Sequence, residues 1–403
     1  MATSPGPDRI TDVGPDPAPS TSTSSATATT TTTLRPRAPE LISASRSGRT
    51  VTVYRHGGEG DRDLVFTYQH WSDAMPAAGQ PDPPDVALSP DGRSLAYSGH
   101  SGLRIRDLDT GRDRVLISRR EVPGDTDGPK MPEWSVEAWN ATEPDPYRET
   151  GVSALVEPQW SPDGRNLAFK RYEYEFQGHS VIEIDTGRLW YDRGAHRLAW
   201  SPGSDRIAVA GPWYGEHHEL WISGAHDFGA WDELGRWVGD GSVRFSDVTF
   251  APAGEQLAVL VRDADFELTG VALVGIEDAA LRRIDTDGVK AAMAFAPDGT
   301  ALYYTERRAD GAVLVRYDTR SGGSEDVVVL PADLFSAPQI SFTGNGNIAV
   351  VGRSRVASDR VDGRYCQDNC PPIHSRLLVV SPDGATVSES PDFDRFTAVA
   401  VVP

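Results

Sequence analysis

Short hydrophobic runs alternate with polar positions along most of this 403-residue chain, and turn-forming residues separate the runs. Four stretches share one pattern: LSPDGRSLAY (88–97), WSPDGRNLAF (160–169), FAPDGTALYY (295–304) and VSPDGATVSE (380–389). In the turn, Pro fixes φ near about −65°, Asp accepts local backbone hydrogen bonds and Gly tolerates positive φ. Each stretch is therefore predicted to be a strand, a tight turn and a second strand.

The turns recur at a nearly constant interval. They begin at positions 89, 161, 201, 251, 296 and 343, so the intervals after the first gap are 40, 50, 45 and 47 residues. A second turn pattern follows in several units, as in IRDLDTGRDRVL (105–116), IEIDTGRLWY (182–191) and VRYDTRSGG (315–323). Two hairpins make a four-stranded unit, and the interval is typical of β-propeller blades of about 40–45 residues.

The two ends of the repeat array complement each other. Residues 40–69 read as three strands that lack a first strand, whereas the final FTAVAVVP reads as a single strand. Pairing of the C-terminal strand with the N-terminal blade would complete that blade and remove exposed strand edges. Six internal units and this composite unit predict the fold class, an all-β, seven-bladed β-propeller of four-stranded blades closed by that pairing.

The repeated phrase resembles the WD40-like repeat of TolB-type propellers, which also occurs in the propellers of prolyl oligopeptidase-like enzymes. The resemblance covers nearly all of residues 41–403 and implies a propeller fold. It implies little about function, because such propellers have many roles. The chain departs from both relatives, since it lacks TolB's separate N-terminal domain and contains no G-x-S-x-G nucleophile elbow.

The turn residues themselves are interpreted as scaffold. Asp91, Asp163 and Asp298 are expected to form turns rather than a repeated acidic site. The aromatic residue before the turn is expected to pack between blades: Trp160, Trp200, Phe250 and Phe295.

Composition limits the partners and the compartment. Residues 1–40 are rich in Ser, Thr, Pro and Ala, so we expect a disordered extension before a single domain at 41–403. The net charge of −20 and the lack of a basic stripe argue against nucleic acid and anionic membranes as partners. No run of about 20 apolar residues and no signal peptide are evident, so the chain as written is expected to be cytoplasmic and not membrane-inserted.

The two cysteines, Cys366 and Cys370, lie in RYCQDNCPPIHSR. They could be free thiols, form a local disulfide, or bind a metal together with His374. A disulfide would indicate an envelope or extracellular location. No metal site and no cofactor are predicted, because neither DTDG stretch continues into a full calcium loop.

Long connections are predicted to gather on one face of the propeller, while the other face carries the short turns. The longest insertions, 118–158 and 352–375, lie on this face, and long loops on a rigid scaffold concentrate binding residues. The candidate binding residues are Trp134, Trp139, Tyr172, Tyr174, His179, Trp213, Tyr214, His217, His218, Arg307, Arg308 and Arg353.

Two functions fit this pattern best, and a third possibility is an envelope-associated assembly part of the TolB kind with residues 1–40 as a tether. The first is a non-catalytic binding or scaffold module that presents aromatic and charged loops to a protein, peptide or glycan. The alternative is a small-molecule lyase or hydrolase with its site at the mouth of the central channel. No catalytic residue is predicted, because no motif forces His, Glu and Arg side chains to converge on one pocket.

Overall fold

The computed structural model describes most of the chain from residue 41 to residue 401. The described residues are 41–47, 50–56, 62–69, 86–99, 102–118, 152–173, 177–191, 197–212, 218–225, 233–238, 244–262, 268–278, 280–284, 288–331, 334, 336–343, 345–354, 360–361, 364–365, 374–393 and 397–401. The predicted extension at 1–40, the two cysteines and most of the 118–158 insertion lie outside them. None of the helices among these residues has the length and apolarity needed to cross a membrane.

Seven four-stranded antiparallel sheets make up the described structure, and we number them in chain order. Sheet 1 has the order β3-β2-β1-β30 and contains β1 (Leu41–Ser47), β2 (Thr50–His56), β3 (Arg62–Gln69) and β30 (Thr397–Val401). Sheet 2 contains β4 (Val86–Leu88), β5 (Ser94–Gly99), β6 (Gly102–Asp107) and β7 (Asp113–Ser118). Sheet 3 contains β8 (Val152–Trp160), β9 (Asn166–Glu173), β10 (Gln177–Glu183) and β11 (Leu189–Tyr191).

The other sheets repeat the arrangement. Sheet 4 contains β12 (Arg197–Trp200), β13 (Arg206–Pro212), β14 (His218–Gly224) and β15 (Glu233–Val238). Sheet 5 contains β16 (Arg244–Phe250), β17 (Gln256–Arg262), β18 (Leu268–Gly275) and β19 (Leu281–Ile284). Sheet 6 contains β20 (Val289–Phe295), β21 (Ala301–Arg308), β22 (Gly311–Asp318) and β23 (Ser324–Leu330). Sheet 7 contains β24 (Ser336–Phe342), β25 (Ile348–Ser354), β28 (His374–Val380) and β29 (Thr386–Phe393), and β26 (Arg360–Val361) pairs with β27 (Arg364–Tyr365).

The C-terminal strand completes the N-terminal sheet. β30 pairs with β1 in antiparallel register from Leu41↔Val401 to Ser45↔Thr397. The sequence-based prediction of this pairing is confirmed. In sheet 1, the C-terminal strand β30 therefore takes the position that the first strand has in the other sheets.

Hydrophobic clusters join successive sheets in pairs. Six clusters are shared by sheets 1 and 2, 2 and 3, 3 and 4, 4 and 5, 5 and 6, and 6 and 7. The second strand is the most buried, because β17 and β21 have side chains packed on both faces. The fourth strand is mostly exposed, as in β7 and β19. First strands of neighbouring sheets contact each other, β4 with β8 and β12 with β16, so the sheets converge along their first strands.

The recurring turn is held by its own side chains. The Ser89 hydroxyl donates to Asp91 Oδ1 at 2.6 Å, and the Ser94 amide donates to Ser89 Oγ at 2.8 Å. The same bonds recur at Ser161, whose hydroxyl donates to Asp163 at 2.6 Å. These carboxylates thus act in turn formation, as expected.

The aromatic residue before the turn bridges neighbouring sheets. Trp160 Nε1 donates to the Ala87 carbonyl at 3.0 Å, and Trp200 Nε1 donates to the Gln159 carbonyl at 3.2 Å. Phe250 packs in the cluster shared by sheets 4 and 5. This position therefore fixes one sheet against the previous one.

One turn departs from the pattern. Ser204 occupies the position that Gly holds in the other turns and has φ 63°. Its hydroxyl accepts a hydrogen bond from the Asp163 amide of sheet 3 at 3.0 Å. This contact between sheets offsets the backbone strain of a non-Gly residue in the left-handed region.

Candidate functional site

The two ends of the sheets differ. The connections from first to second strand and from third to fourth strand lie at one end, which we call the short-turn end. The other end receives the connections from second to third strand and those between sheets, including 119–151 and 355–373. We call it the long-connection end.

One position of the repeat holds a polar residue in four of the five first strands in which it is described. It lies three residues before the aromatic residue or its equivalent, and its described members are Glu157 in β8, Arg197 in β12, Asp247 in β16, Ala292 in β20 and Gln339 in β24. Because equivalent residues of successive sheets occupy equivalent places, these side chains follow the line along which the sheets converge.

Irregular backbone occurs at this position in four of the five described first strands, whether the residue there is charged or not. The β8–β9 register shifts between Val156 and Gln159, and Glu157 between them has φ 52°. The β16–β17 register shifts between Phe245 and Asp247. Such bulges re-aim the side chains of the residues that they contain.

Glu157 joins two sheets through buried ion pairs. Its Oε2 accepts a hydrogen bond from Arg197 Nη1 of sheet 4 at 2.9 Å, and its Oε1 lies 3.7 Å from Lys170 Nζ of β9. The Glu157 and Lys170 side chains are each 6% exposed, whereas that of Arg197 is 38% exposed. The pairs are therefore protected from water on one side and reach solvent at Arg197.

Sheet 5 adds two further charges. Burial raises the pKa of the Asp247 carboxyl, and this effect outweighs the opposing influence of Arg197 and Arg262. Burial also lowers the pKa of Arg262, and the like charge of Arg197 lowers it further. We call Glu157, Lys170, Arg197, Asp247 and Arg262 the charge cluster.

Lys170 is the most buried cation of the cluster. Burial lowers the pKa of its ammonium group, and the carboxylate of Glu157 counteracts part of that shift. An amine with a lowered pKa gives up its proton more readily and can serve as a base.

Sheet 6 holds a separate ionic network. Lys290 is fully buried, donates to the Gly288 carbonyl and lies 3.9 Å from Glu306 Oε1. Arg308 donates to Glu306 Oε1 at 3.2 Å and makes two bonds of 2.7 Å to Asp326. These bonds raise the pKa of Arg308, so its guanidinium is committed to two carboxylates.

The predicted binding residues are only partly described. His179 of β10 is 2% exposed, Arg307 is exposed, and Arg308 belongs to the sheet 6 network. For three others only the backbone is described: Tyr172 in β9, His218 in β14 and Arg353 in β25. The rest lie outside the described residues: Trp134, Trp139, Tyr174, Trp213, Tyr214 and His217. The structure therefore shows no contact among the aromatic candidates, and they stay predictions.

The short-turn end has a groove of about 910 Å³ between sheets 2 and 3. Trp160 and four carboxylates line it, together with Arg112 and Arg114. The carboxylates already serve local bonds: Asp91 and Asp163 close turns, Asp107 accepts from the Thr110 amide, and Asp113 accepts from Tyr97. The groove is thus built from scaffold residues.

A metal-binding constellation does not emerge from the part of the chain that is described, because it contains no group of three or more His, Cys, Asp and Glu side chains suited to a metal ion. The charge cluster instead combines three cations with two carboxylates. Such a set can orient a charged ligand or hold a proton, and it supplies donors rather than metal ligands.

Seven four-stranded sheets that converge along their first strands define a β-propeller type of fold. The sequence matches no protein-family model and no curated protein. Solved structures are similar in fold.

A protein from Bacteroides uniformis assigned as a 6-phosphogluconolactonase matches with a TM-score of 0.53 and 13% identity, over 90% of this chain and all of the other. Oligogalacturonate lyase from Vibrio parahaemolyticus matches with a TM-score of 0.50 and 12% identity, over 88% of this chain and 86% of the other. TolB from Acinetobacter baumannii matches with a TM-score of 0.44 and 13% identity, over 90% and 83%. At these identities the likeness shows the fold alone.

Sequence reasoning passed over the charge cluster although a signal was present. The sequence has Glu, Arg and Asp at 157, 197 and 247, each three residues before the aromatic residue of its repeat. A search for polar residues at fixed offsets from the turn would have found Glu157, Arg197 and Asp247, but not Lys170 and Arg262, which lie in second strands.

Proposed function

We propose that the seven sheets are the blades of a closed propeller of the TolB-type repeat class. The support is the buried second face of sheet 7. Ala349, Val351, Leu377 and Val379 are 0–8% exposed and alternate with the residues that face sheet 6. Another layer must cover them, and only three residues separate β29 from β30, which belongs to sheet 1. Sheet 1 is therefore the natural cover.

We further propose that the protein is a binding module whose ligand, a protein, peptide or glycan, docks at the long-connection end over the charge cluster. The observation that carries this proposal is the cluster itself. Replacing a buried ion pair by apolar residues is often neutral or stabilising, so stability does not explain why three blades place charges on their first strands. A ligand that uses these charges does explain it.

The enzyme alternative has one observation in its favour. The lowered pKa of Lys170 is a property of a general base. Its side chain is, however, only 6% exposed and its ammonium group lies 3.7 Å from Glu157 Oε1, which favours a structural pairing over proton transfer to a substrate.

Affinity selection tests both functions. The immobilised full chain is incubated with mixed peptides and oligosaccharides, and the retained compounds are identified by mass spectrometry. The matched variants are Arg197→Gln in the cluster and Arg93→Gln, an exposed arginine paired with Asp109 at the short-turn end.

We expect a compound that wild type and Arg93→Gln retain unchanged and that Arg197→Gln loses. Recovery of the compound with an altered mass would favour the enzyme. If no retained compound depends on Arg197, the binding proposal is wrong.

A further inference from the structure

The groove at the short-turn end lies between two neighbouring sheets that both carry an aspartate in the first turn. Asp91 of sheet 2 and Asp163 of sheet 3 line this groove, which has a volume of about 910 Å³. In sheets 4 to 7 the same turn position holds Gly203, Ala253, Asp298 and Asn345. From sheet 2 to sheet 7, no other successive pair of sheets therefore has a carboxylate at this position in both turns.

Turn formation uses only part of each carboxylate. Asp91 Oδ1 accepts two local bonds, from the Ser89 hydroxyl and the Arg93 amide, and Asp163 Oδ1 accepts the equivalent two. Within the described residues, Oδ2 of Asp91 and Oδ2 of Asp163 accept no hydrogen bond and form no ion pair. The turn also closes without a carboxylate in sheet 5, where Ala253 stands at this position. Both Oδ2 atoms are therefore available to a ligand.

Packing brings the two turns and one indole ring together. A Cβ atom on Gly164 would lie only 3.8 Å from Pro90 Cδ, so the turns of sheets 2 and 3 are adjacent. Trp160 of sheet 3 also lines the groove, and its Nε1 bond of 3.0 Å to the Ala87 carbonyl holds it against sheet 2. Carboxylate oxygens beside an indole ring suit an ammonium or guanidinium group, through ion pairs and a cation–π contact.

The outer end of the groove carries the opposite charge. Arg112 and Arg114 line it at the start of β7, the edge strand of sheet 2, and both are exposed. Neither side chain forms an ion pair or a hydrogen bond with any residue that the structure describes. Their neighbour Asp113 is paired with Arg104 at 3.0 Å, and Asp107 closes the second turn. The two guanidinium groups can therefore receive a carboxylate in a bidentate contact.

We propose that this groove binds a peptide segment of a partner protein that carries a basic and an acidic side chain. The basic side chain lies between Asp91 and Asp163 beside Trp160, and the acidic one pairs with Arg112 and Arg114. The two ends are two to three strand spacings apart, roughly 10–14 Å, which an extended chain covers in about three to four residues. The site goes beyond the proposed function, because it lies at the end of the sheets opposite the long connections.

Isothermal titration of the full chain with the blocked peptide Lys-Ser-Ser-Ser-Glu tests the inference at low salt, where exposed ion pairs are strongest. In the comparison peptides Ser replaces Lys, Glu or both. The first variant combines Asp91→Asn with Asp163→Asn, because Asn keeps a side-chain oxygen for the turn but lacks the charge. Its matched control combines Asp298→Asn with Asp383→Asn, which removes two charges from turns of the same kind outside the groove.

The second variant, Arg112→Gln with Arg114→Gln, tests the acidic half of the ligand. Near-ultraviolet circular dichroism checks the folding of every variant, and the single substitutions replace any pair that does not fold. We expect wild type and the control pair to bind the Lys-Glu peptide equally, and more tightly than any comparison peptide. The asparagine pair should weaken that binding at least about tenfold, because two charge-assisted contacts are lost. The glutamine pair should bind the Lys-Glu peptide no better than the Lys-only peptide.

Three results would overturn the inference. The first is that the Lys-Glu peptide does not bind wild type, or binds no more tightly than the Lys-only peptide. The second is that the control pair weakens binding as much as the asparagine pair, because the net charge of −20 would then be the attraction. The third is that Arg197→Gln abolishes binding, which would place the peptide at the long-connection end. The proposed function is judged separately, by whether affinity selection yields a compound whose retention depends on Arg197.

Discussion

Removal of the Glu157 carboxylate should destabilise the protein far more than removal of an exposed one. The Glu157→Ala change takes the counter-charge from Lys170, whose side chain is 6% exposed, and from Arg197 of the next sheet. Breaking a buried pair on one side typically costs about 3–5 kcal/mol. The matched control is Glu325→Ala, because Glu325 pairs with Arg316 at 2.7 Å but is 65% exposed, so that about 0–1 kcal/mol is expected.

The backbone at position 157 refines this prediction. Because φ is 52°, Gly should fit there better than Ala, and Glu157→Gly should be less destabilised than Glu157→Ala by about 1 kcal/mol. The double variant Glu157→Gln with Lys170→Met removes both buried charges and should recover most of the loss. The lowered pKa of Lys170 also predicts a pH dependence. The unfolded chain binds the Lys170 proton more tightly than the folded chain does, so the stability lost in Glu157→Ala should shrink as pH rises towards the ordinary lysine pKa.

Equilibrium unfolding in urea, followed by tryptophan fluorescence at neutral pH and again at about pH 9, measures these differences. The reasoning is refuted if Glu157→Ala costs no more than Glu325→Ala. It is also refuted if Lys170→Met fails to rescue Glu157→Gln, because the loss would then arise from packing and not from charge.

Three further outcomes are expected. In urea, the free energy of unfolding of Ser204→Gly should lie within about 0.5 kcal/mol of wild type, because relief of the backbone strain at φ 63° offsets loss of the 3.0 Å hydrogen bond from the Asp163 amide. Ser204→Ala loses the same hydrogen bond and keeps the strain, so its free energy of unfolding should fall by about 1 kcal/mol. A chain without residues 397–403 should aggregate, as measured by light scattering, because β1 loses its partner strand over five residue pairs. A monomer with an unchanged melting temperature would contradict this. Burial raises the pKa of Asp247 in the folded state, so deprotonation disfavours folding as pH rises. Asp247→Asn should therefore gain stability relative to wild type as pH rises above the ordinary aspartate pKa of about 4; a constant difference in urea midpoint would disprove it.

The scaffold could be predicted from sequence because its determinants are local. The Ser-Pro-Asp-Gly turns carry their own hydrogen-bond partners within five residues, as Ser89, Asp91 and Ser94 show. The alternation of β strands follows directly from the apolar runs. The pairing of β30 with β1 is long-range in sequence but followed from counting strands in a repeat, which needs no information about side-chain contacts.

The contacts within the charge cluster could not be predicted in the same way, because packing between sheets brings its members together. Glu157 and Arg197 are 40 residues apart, and their bond of 2.9 Å depends on how sheet 3 meets sheet 4. The turn pattern also gives no indication that the register shifts between Val156 and Gln159. The sequence pattern does not predict the ionic partners of Arg308 for a similar reason. Arg308 lies on β21, whereas its partner Asp326 lies on β23.

The repeat does not restrict the residue type at the position three residues before the aromatic residue. Most positions of the second strand are apolar because both faces are covered, and turn positions must close the turn. In β20 the open position carries Ala292, which packs in a hydrophobic cluster, so the fold tolerates an apolar residue there. Charges at the same position in β8, β12 and β16 are therefore not imposed by the architecture. Because desolvation of each charge costs stability, their presence in three successive sheets favours a role in ligand binding over a role in folding.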